Sequence, residues 1–206
     1  MKCVLVAIAA FAMLGADDQG FKPIFNSHDL KRWNVMGDKT WSVEKGELIC
    51  SPGGKGWLRT DDQYGDFALR LEYKLAEGAQ SGVYFRCHEA FDPALTGFKV
   101  HLVDDAGGDR TRTSTGAISS HVLPLVSAAK PAGQWNQLEI VAKGVHIKVT
   151  INGKAAQDFR IDNRELSQGL PNGRQLYARV SYGYIGLENA GGEARFRNIR
   201  LKRLID

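Results

Sequence analysis

The chain predicts an all-β fold, an antiparallel β-sandwich of the jelly-roll type. Three observations carry this. Phe67-Ala68-Leu69-Arg70-Leu71-Glu72-Tyr73-Lys74-Leu75 alternates with period two, which puts Phe67, Leu69, Leu71, Tyr73 and Leu75 on one buried face, an arrangement that helical spacing cannot give. Short runs of the same kind recur along the chain between glycine-, proline- and asparagine-containing turns. The 206 residues include 23 Gly and only 3 Met, and no long Ala/Leu/Glu/Lys-rich segment is present to build a helix.

In chain order, strands are expected at 41–43 and 47–50 around Lys45-Gly46, then at 67–75, 82–87, 98–103 and 116–123. They continue at 137–142, 146–151, 184–187 and 194–204. Pro52-Gly53-Gly54, Gly107-Gly108, Lys143-Gly144, Asn152-Gly153 and Gly191-Gly192 separate them, with Asn152-Gly153 the two-residue signal of a tight hairpin. In the last strand Phe196 lies out of phase with Ile199 and Leu201, so burying all three requires a bulge near Asn198. The polar stretch 163–179, with Pro171-Asn172-Gly173 at its centre, reads as a long covering loop.

Lys2, the apolar run Cys3–Leu14 and the small residues Gly15-Ala16 follow the order of a secretory leader, so residues 1–16 are expected to be removed and 17–206 to form one exported domain, secreted or periplasmic. No cysteine follows that run at a lipidation position, so no membrane anchor is indicated. Cys50 and Cys87 could pair in an oxidising compartment or stand as separate buried thiols. A net charge of +4 with intermixed signs gives no basic stripe for phosphates, which argues against nucleic acid as a partner. No CxxC or Cys/His cluster points to zinc. Asp104-Asp105 before Gly107-Gly108-Asp109 misses the spacing of a calcium loop and reads better as a polar turn.

A set of local motifs points further. These are Ile24-Phe25-Asn26, Asp29-Leu30, Trp33, Trp41 with Gly46 and Leu48, Tyr64-Gly65-Asp66-Phe67 and Ser81-Gly82-Val83-Tyr84-Phe85-Arg86. Thr115-Gly116-Ala117-Ile118, Lys130-Pro131, Gly133-Gln134-Trp135-Asn136, Ile185-Gly186-Leu187 and Phe196-Arg197-Asn198-Ile199 complete it. In this order the chain resembles the 3-keto-disaccharide hydrolase domain family over nearly all of its expected mature length. The resemblance implies a concanavalin-A-like lectin/glucanase sandwich with a saccharide-sized groove, a carbohydrate substrate, and cleavage of glycosides oxidised at sugar carbon 3. It also implies a separate sugar 3-oxidoreductase to supply the ketone, because no nucleotide, haem or flavin motif appears in this chain.

Such a substrate dictates its own chemistry. A ketone at carbon 3 acidifies the hydrogen on carbon 2, and the resulting enolate can expel the oxygen on carbon 1. The site therefore needs a base at carbon 2, a donor or cation at the ketone oxygen, and an acid for the leaving oxygen. Alternation leaves Arg70, Glu72 and Lys74 on the non-core face of one strand, Tyr84 and Arg86 on the next, and Lys99 and His101 on the third. If those strands are neighbours, Glu72 or His101 could serve as base or acid, with Arg86 or Lys99 at the enolate oxygen. Arg70, Tyr84, Lys99 and Asp104 would bind substrate and Trp57 could stack on a sugar ring. Taken singly, Glu72 and Arg86 also fit a solvated cross-strand ion pair, and His101 an ordinary surface histidine. A divalent cation could polarise the ketone, though no ligand set stands out.

The chain departs from the family pattern at the proposed site. Gln80 stands where Asn is usual, Lys99 and His101 where Glu and Gln are usual, and Glu188-Asn189-Ala190 where a Gln-Asp-His-like triplet is usual. Lys99 for an acid reverses the local charge. A non-catalytic carbohydrate-binding module on the same fold is accordingly the alternative to an enzyme.

Overall fold

A computed structural model describes residues 19–88, 92–168 and 175–204. The expected leader at 1–16 lies outside the described residues. The strands are β1 (Lys22–Pro23), β2 (Trp33–Gly37), β3 (Trp41–Glu44), β4 (Glu47–Cys50), β5 (Gly56–Tyr64), β6 (Phe67–Leu75) and β7 (Gln80–Cys87). After one helical turn at Pro93–Thr96 come β8 (Phe98–Val103), β9 (Asn136–Lys143), β10 (His146–Ile151), β11 (Lys154–Arg160), β12 (Gly183–Asn189) and β13 (Ala194–Arg203). They form two antiparallel sheets. The larger runs β11-β10-β9-β6-β13-β4-β3, with β1 added on β13, and the smaller runs β2-β5-β12-β7-β8.

The expected strands appear with one exception, and four were not foreseen. The segment 116–123 makes only isolated bridges, Ile118 to Val100 and to Val122. Strands β1, β2, β5 and β11 were missed because their composition hides them: β5 carries Arg59, Asp61, Asp62 and Gln63, and β11 is Lys-Ala-Ala-Gln-Asp-Phe-Arg, without a β-branched residue. Among the described residues of the stretch 163–179 are two short 3-10 turns, Arg164–Ser167 and Leu176–Ala178, while the expected loop centre Pro171-Asn172-Gly173 lies outside the described residues.

The core lies between the sheets. Phe67, Leu69, Leu71, Tyr73 and Leu75 of β6 meet Val83, Phe85, Phe98, Val100 and Leu102 of β7 and β8. Each large apolar side chain removed from water in this way contributes about 1.5–3 kcal/mol. Tyr64, Phe67, Phe85 and Phe98 form a continuous aromatic line, with centroids 6.4, 6.1 and 5.2 Å apart, that ties one sheet to the other. The bulge in β13 is present: Asn198 takes φ 53°, the register with β6 slips between Arg197 and Arg200, and Phe196, Ile199 and Leu201 are all buried.

One topological fact decides where a site can be. β6 pairs with β9 and β13, whereas β7 pairs with β8 and β12, so the short loop after Leu75 carries the chain from one sheet to the other. β6 and β7 are layers of the sandwich and not edge-to-edge neighbours.

Candidate functional site

Crossing between sheets separates the residues that the sequence grouped. Arg70 and Glu72 lie on the outer surface of the larger sheet, where Arg70 pairs with Glu139 and Glu72 with Arg197 at 2.6 Å. They face away from β7 and β8, and the expectation that Glu72 shares a face with Lys99 and His101 is corrected. Strand periodicity fixes which side a residue takes but not which sheet the strand joins.

Arg86 is corrected for a different reason. Opposite Ile185 of β12, β7 carries two residues, because Tyr184 pairs with Cys87 while Gly186 pairs with Tyr84. This bulge puts Arg86 at φ 52° and turns its side chain inward. There the guanidinium is fully buried, donating to the Gly65 carbonyl at 3.0 Å, the Gly144 carbonyl at 2.8 Å and Asp66 Oδ1 at 2.9 Å. It ties the β5–β6 turn to the β9–β10 turn and does not reach a groove. Asp104 is also committed to structure: its two carboxylate oxygens accept from the Gly78 and Ala132 amides, which locks the β6–β7 crossover against the loop before β9.

The remaining candidates converge on the outer face of the smaller sheet. The register places Trp57, Glu188, Gly82 and His101 in one row across β5, β12, β7 and β8, with Gly186, Tyr84 and Lys99 in the next. Glu188 is the junction. Its Oε1 accepts from Tyr84 Oη at 2.8 Å and from Lys99 Nζ at 2.9 Å, and its Oε2 lies 3.2 Å from the same ammonium. Both partners of the ion pair are only 15% exposed, so it is far better shielded than an ordinary surface pair. Burial, then the charge and hydrogen bond of Glu188, push the Tyr84 phenol well above its usual range, so it stays a proton donor.

Two glycines make this arrangement possible. A Cβ on Gly82 would stand 2.8 Å from Lys99 Cδ and 2.9 Å from Glu188 Oε2, so the bare backbone is the floor over which Lys99 reaches its partner. A Cβ on Gly186 would meet the Trp57 ring at 2.2 Å, so Trp57 lies flat against the strand and edge-on to Tyr84, centroids 5.8 Å apart. Trp57 is 5% exposed and belongs to the base of the cleft, not to an open stacking platform.

His101 is 7% exposed, with Nε2 3.1 Å from Ser120 Oγ. Burial, followed by the charges of Lys99 and His121, lowers its pKa to about 3, so the ring is neutral near pH 7. A cleft of about 280 Å³ opens beside this cluster, lined among others by Trp57, Tyr84, Asp92, Pro93, Glu188 and Asn189. A larger hollow of about 750 Å³ lies along β10 and β11, but its carboxylates Asp158 and Asp162 are about half exposed and already paired with His146, Lys148 and Arg160. The smaller cleft takes in the shielded Tyr84 and Glu188, with Lys99 behind Glu188 as its ion-pair partner. Among the described residues no group of three or more His, Cys, Asp or Glu side chains is placed to hold a metal ion.

Cys50 and Cys87 are both free. Cys50 belongs to the main core and Cys87 to the small cluster with Trp57 and Tyr84 outside the five-stranded sheet, so a layer of sheet separates them. Burial raises the Cys50 thiol to about 11 and pushes Cys87 up as well.

Glu188 entered the sequence reading only within Glu188-Asn189-Ala190, as a departure from the family pattern, and not as a candidate site residue. The signal was available: the alternation Tyr184-Ile185-Gly186-Leu187 continues through position 188 and puts Glu188 on the polar face. What could not be read is that β12 inserts between β5 and β7 and so lands beside Tyr84.

Known proteins share this architecture. A 3-keto-disaccharide hydrolase of Bacteroides thetaiotaomicron is 24% identical over 238 aligned positions, covering 93% of this chain and 81% of that protein. A crystal structure from Parabacteroides distasonis, a provisionally named glycosyl hydrolase, superposes with a TM-score of 0.78 at 26% identity, over 89% of this chain and 99% of that one. The carbohydrate-binding module CBM66 of Bacillus subtilis shares the fold at a TM-score of 0.57 and 15% identity, over 83% of this chain and 95% of the module. Residues 20–202 match the model of the 3-keto-alpha-glucoside-1,2-lyase-like domain, and the chain belongs to that family.

Proposed function

We propose that the chain is an exported enzyme that cleaves glycosides carrying a ketone at sugar carbon 3. The observation that carries this reading is the junction at Glu188, where one carboxylate lies about 3 Å from both an ammonium and a phenol on a shielded sheet face. In this reading Glu188 removes the proton on carbon 2. Lys99 stabilises the negative charge that develops on the ketone oxygen, Tyr84 holds Glu188 in place through its hydrogen bond, and the proton taken by Glu188 passes to the oxygen leaving carbon 1. The electron pair of the carbon 2–hydrogen bond forms the enolate, which collapses to expel the leaving group and leave a double bond between carbons 1 and 2. Water added across that bond completes net hydrolysis. Neutral His101, on the same row as Glu188, orients sugar hydroxyls. A separate oxidoreductase must provide the ketone, since the chain carries no redox motif.

Family membership and the named relative from B. thetaiotaomicron support the substrate class. Against a purely binding role stands the burial of Trp57 and Tyr84, each 5% exposed, which leaves neither ring free in the cleft to stack on a sugar. The test is to mix the purified protein with 3-keto-trehalose or a 3-keto-glucoside and measure free 3-keto-sugar. Release by the wild type and a loss of about 10²–10⁴-fold in Glu188→Gln and Lys99→Met are expected. Saturable binding without release would instead identify a carbohydrate-binding module.

A further inference from the structure

Arg179 follows the second 3-10 turn and does not line the cleft, yet its surroundings lead to it. Arg179 is 9% exposed, and its partners among the described residues are neutral oxygens: Nη1 donates to the Gly97 carbonyl, to the Ala94 carbonyl at 3.4 Å and to Ser119 Oγ at 3.1 Å. The guanidinium stacks over Phe98 at 5.4 Å, and its Nε makes no hydrogen bond. Among the described residues no carboxylate pairs with this buried cation, and a guanidinium held by neutral oxygens and an aromatic ring persists where it holds something in place.

What it holds is on both sides of the candidate site. Ser119 Oγ also accepts from the Lys99 amide at 3.1 Å, while the Ser119 amide donates to the Lys99 carbonyl at 2.8 Å, so Ser119 holds the Lys99 backbone through both its hydroxyl and its amide. The next residue, Ser120, supplies the hydroxyl beside His101 Nε2. Ser119 and Ser120 take φ 49° and 59°, two successive left-handed residues without the freedom of glycine, and Arg179 is bonded to the first of them. On the other flank, the Ala94 and Gly97 carbonyls belong to the turn whose Pro93 and Asp92 line the cleft.

We propose that Arg179 is a positioning residue that clamps the strained Ser119-Ser120 corner and the 93–97 turn, and so sets the placement of Lys99 and His101. The proposal rests on the functional reading above for its effect on turnover, but not for its effect on structure. Lysine at 179 would keep the charge with a single point of attachment, so it cannot bridge Gly97 and Ser119 together.

The experiment uses the full chain, ¹⁵N-labelled, at one fixed pH. Arg179→Met is expected to shift the His101 ring-nitrogen resonance and the Lys99 amide while leaving amides of β10 in place, and to lower kcat by about 10-fold or more with a smaller change in KM. Arg179→Lys should fall between it and the wild type. A folded Arg179→Met protein with His101 and Lys99 resonances unchanged overturns the proposal. If Arg179→Met does not fold, Arg179→Gln decides: a shifted Lys99 amide and His101 ring support the clamp, and unchanged ones overturn it. Shifted resonances in a protein whose wild type releases no 3-keto-sugar would leave the clamp standing and remove the enzymatic reading alone.

Discussion

His101 is neutral because burial and the Lys99 charge both oppose its protonation, and this has a thermodynamic consequence. Its pKa is about 3 in the folded chain against an ordinary 6.5, so between those limits the unfolded chain binds a proton that the folded chain refuses. Stability from this residue is therefore complete above pH 6.5 and is lost as the pH falls toward 3, at up to about 1.4 kcal/mol per pH unit. Urea midpoints at pH 7 and pH 5 should fall markedly in the wild type and less in His101→Gln. An equal fall in both proteins would mean that the ring is not shielded as described. At the same scale, Tyr84 and Glu188 explain each other: burial and, after it, the carboxylate keep the phenol protonated, and the phenol and Lys99 satisfy a carboxylate that is mostly out of water.

Strands β7, β8 and β12 build the site through what they lack as much as through what they carry. Gly82→Ala would press on the Lys99 stem and the end of Glu188, long side chains that can shift aside, so the fold should survive while turnover falls. Gly186→Ala would press on the flat ring of Trp57, which cannot yield against Tyr84, and should cost about 1–3 kcal/mol of stability. Thermal unfolding of the two variants beside their turnover separates these effects; the reverse pattern would contradict the assigned roles. Much of each element was legible from the chain. The alternation in β6, the inward Val83 and Phe85, the outward Tyr84 and the bulge at Asn198 all follow from period two and the need to bury Phe196, Ile199 and Leu201 together. The bulge that turns Arg86 inward was not legible, because it depends on Ile185 of a strand roughly a hundred residues away, and no local pattern announces a pairing so distant.

At the scale of the whole molecule, the sandwich has two outer faces with different tasks. The larger sheet presents a lattice of ion pairs, Glu72 with Arg197 and Glu47 with Arg195 at 3.2 Å, and Trp135 lies under both Lys74 and Arg197. These groups are partly exposed, so each pair contributes little, up to about 1 kcal/mol. Glu72→Gln should leave turnover within about twofold of the wild type and shift stability by no more than that amount; a collapse of turnover would return this face to the candidate site. The sequence could place Glu72, Lys99 and His101 on polar faces but could not distribute them between two sheets, because alternation is identical in either layer. Long-range pairing order, set by how the crossover loops close the core, is the information that the local pattern lacks.

The most direct test of the central claim, that Glu188 on the five-stranded sheet takes the proton from carbon 2, is proton NMR of a 3-keto-glucoside incubated with the protein in D₂O. The wild type should erase the carbon 2 proton signal as the alcohol or sugar on carbon 1 is released, and Glu188→Gln should slow both together by at least about 10²-fold. Release that leaves the carbon 2 proton in place, or equal rates in the two proteins, would contradict the account.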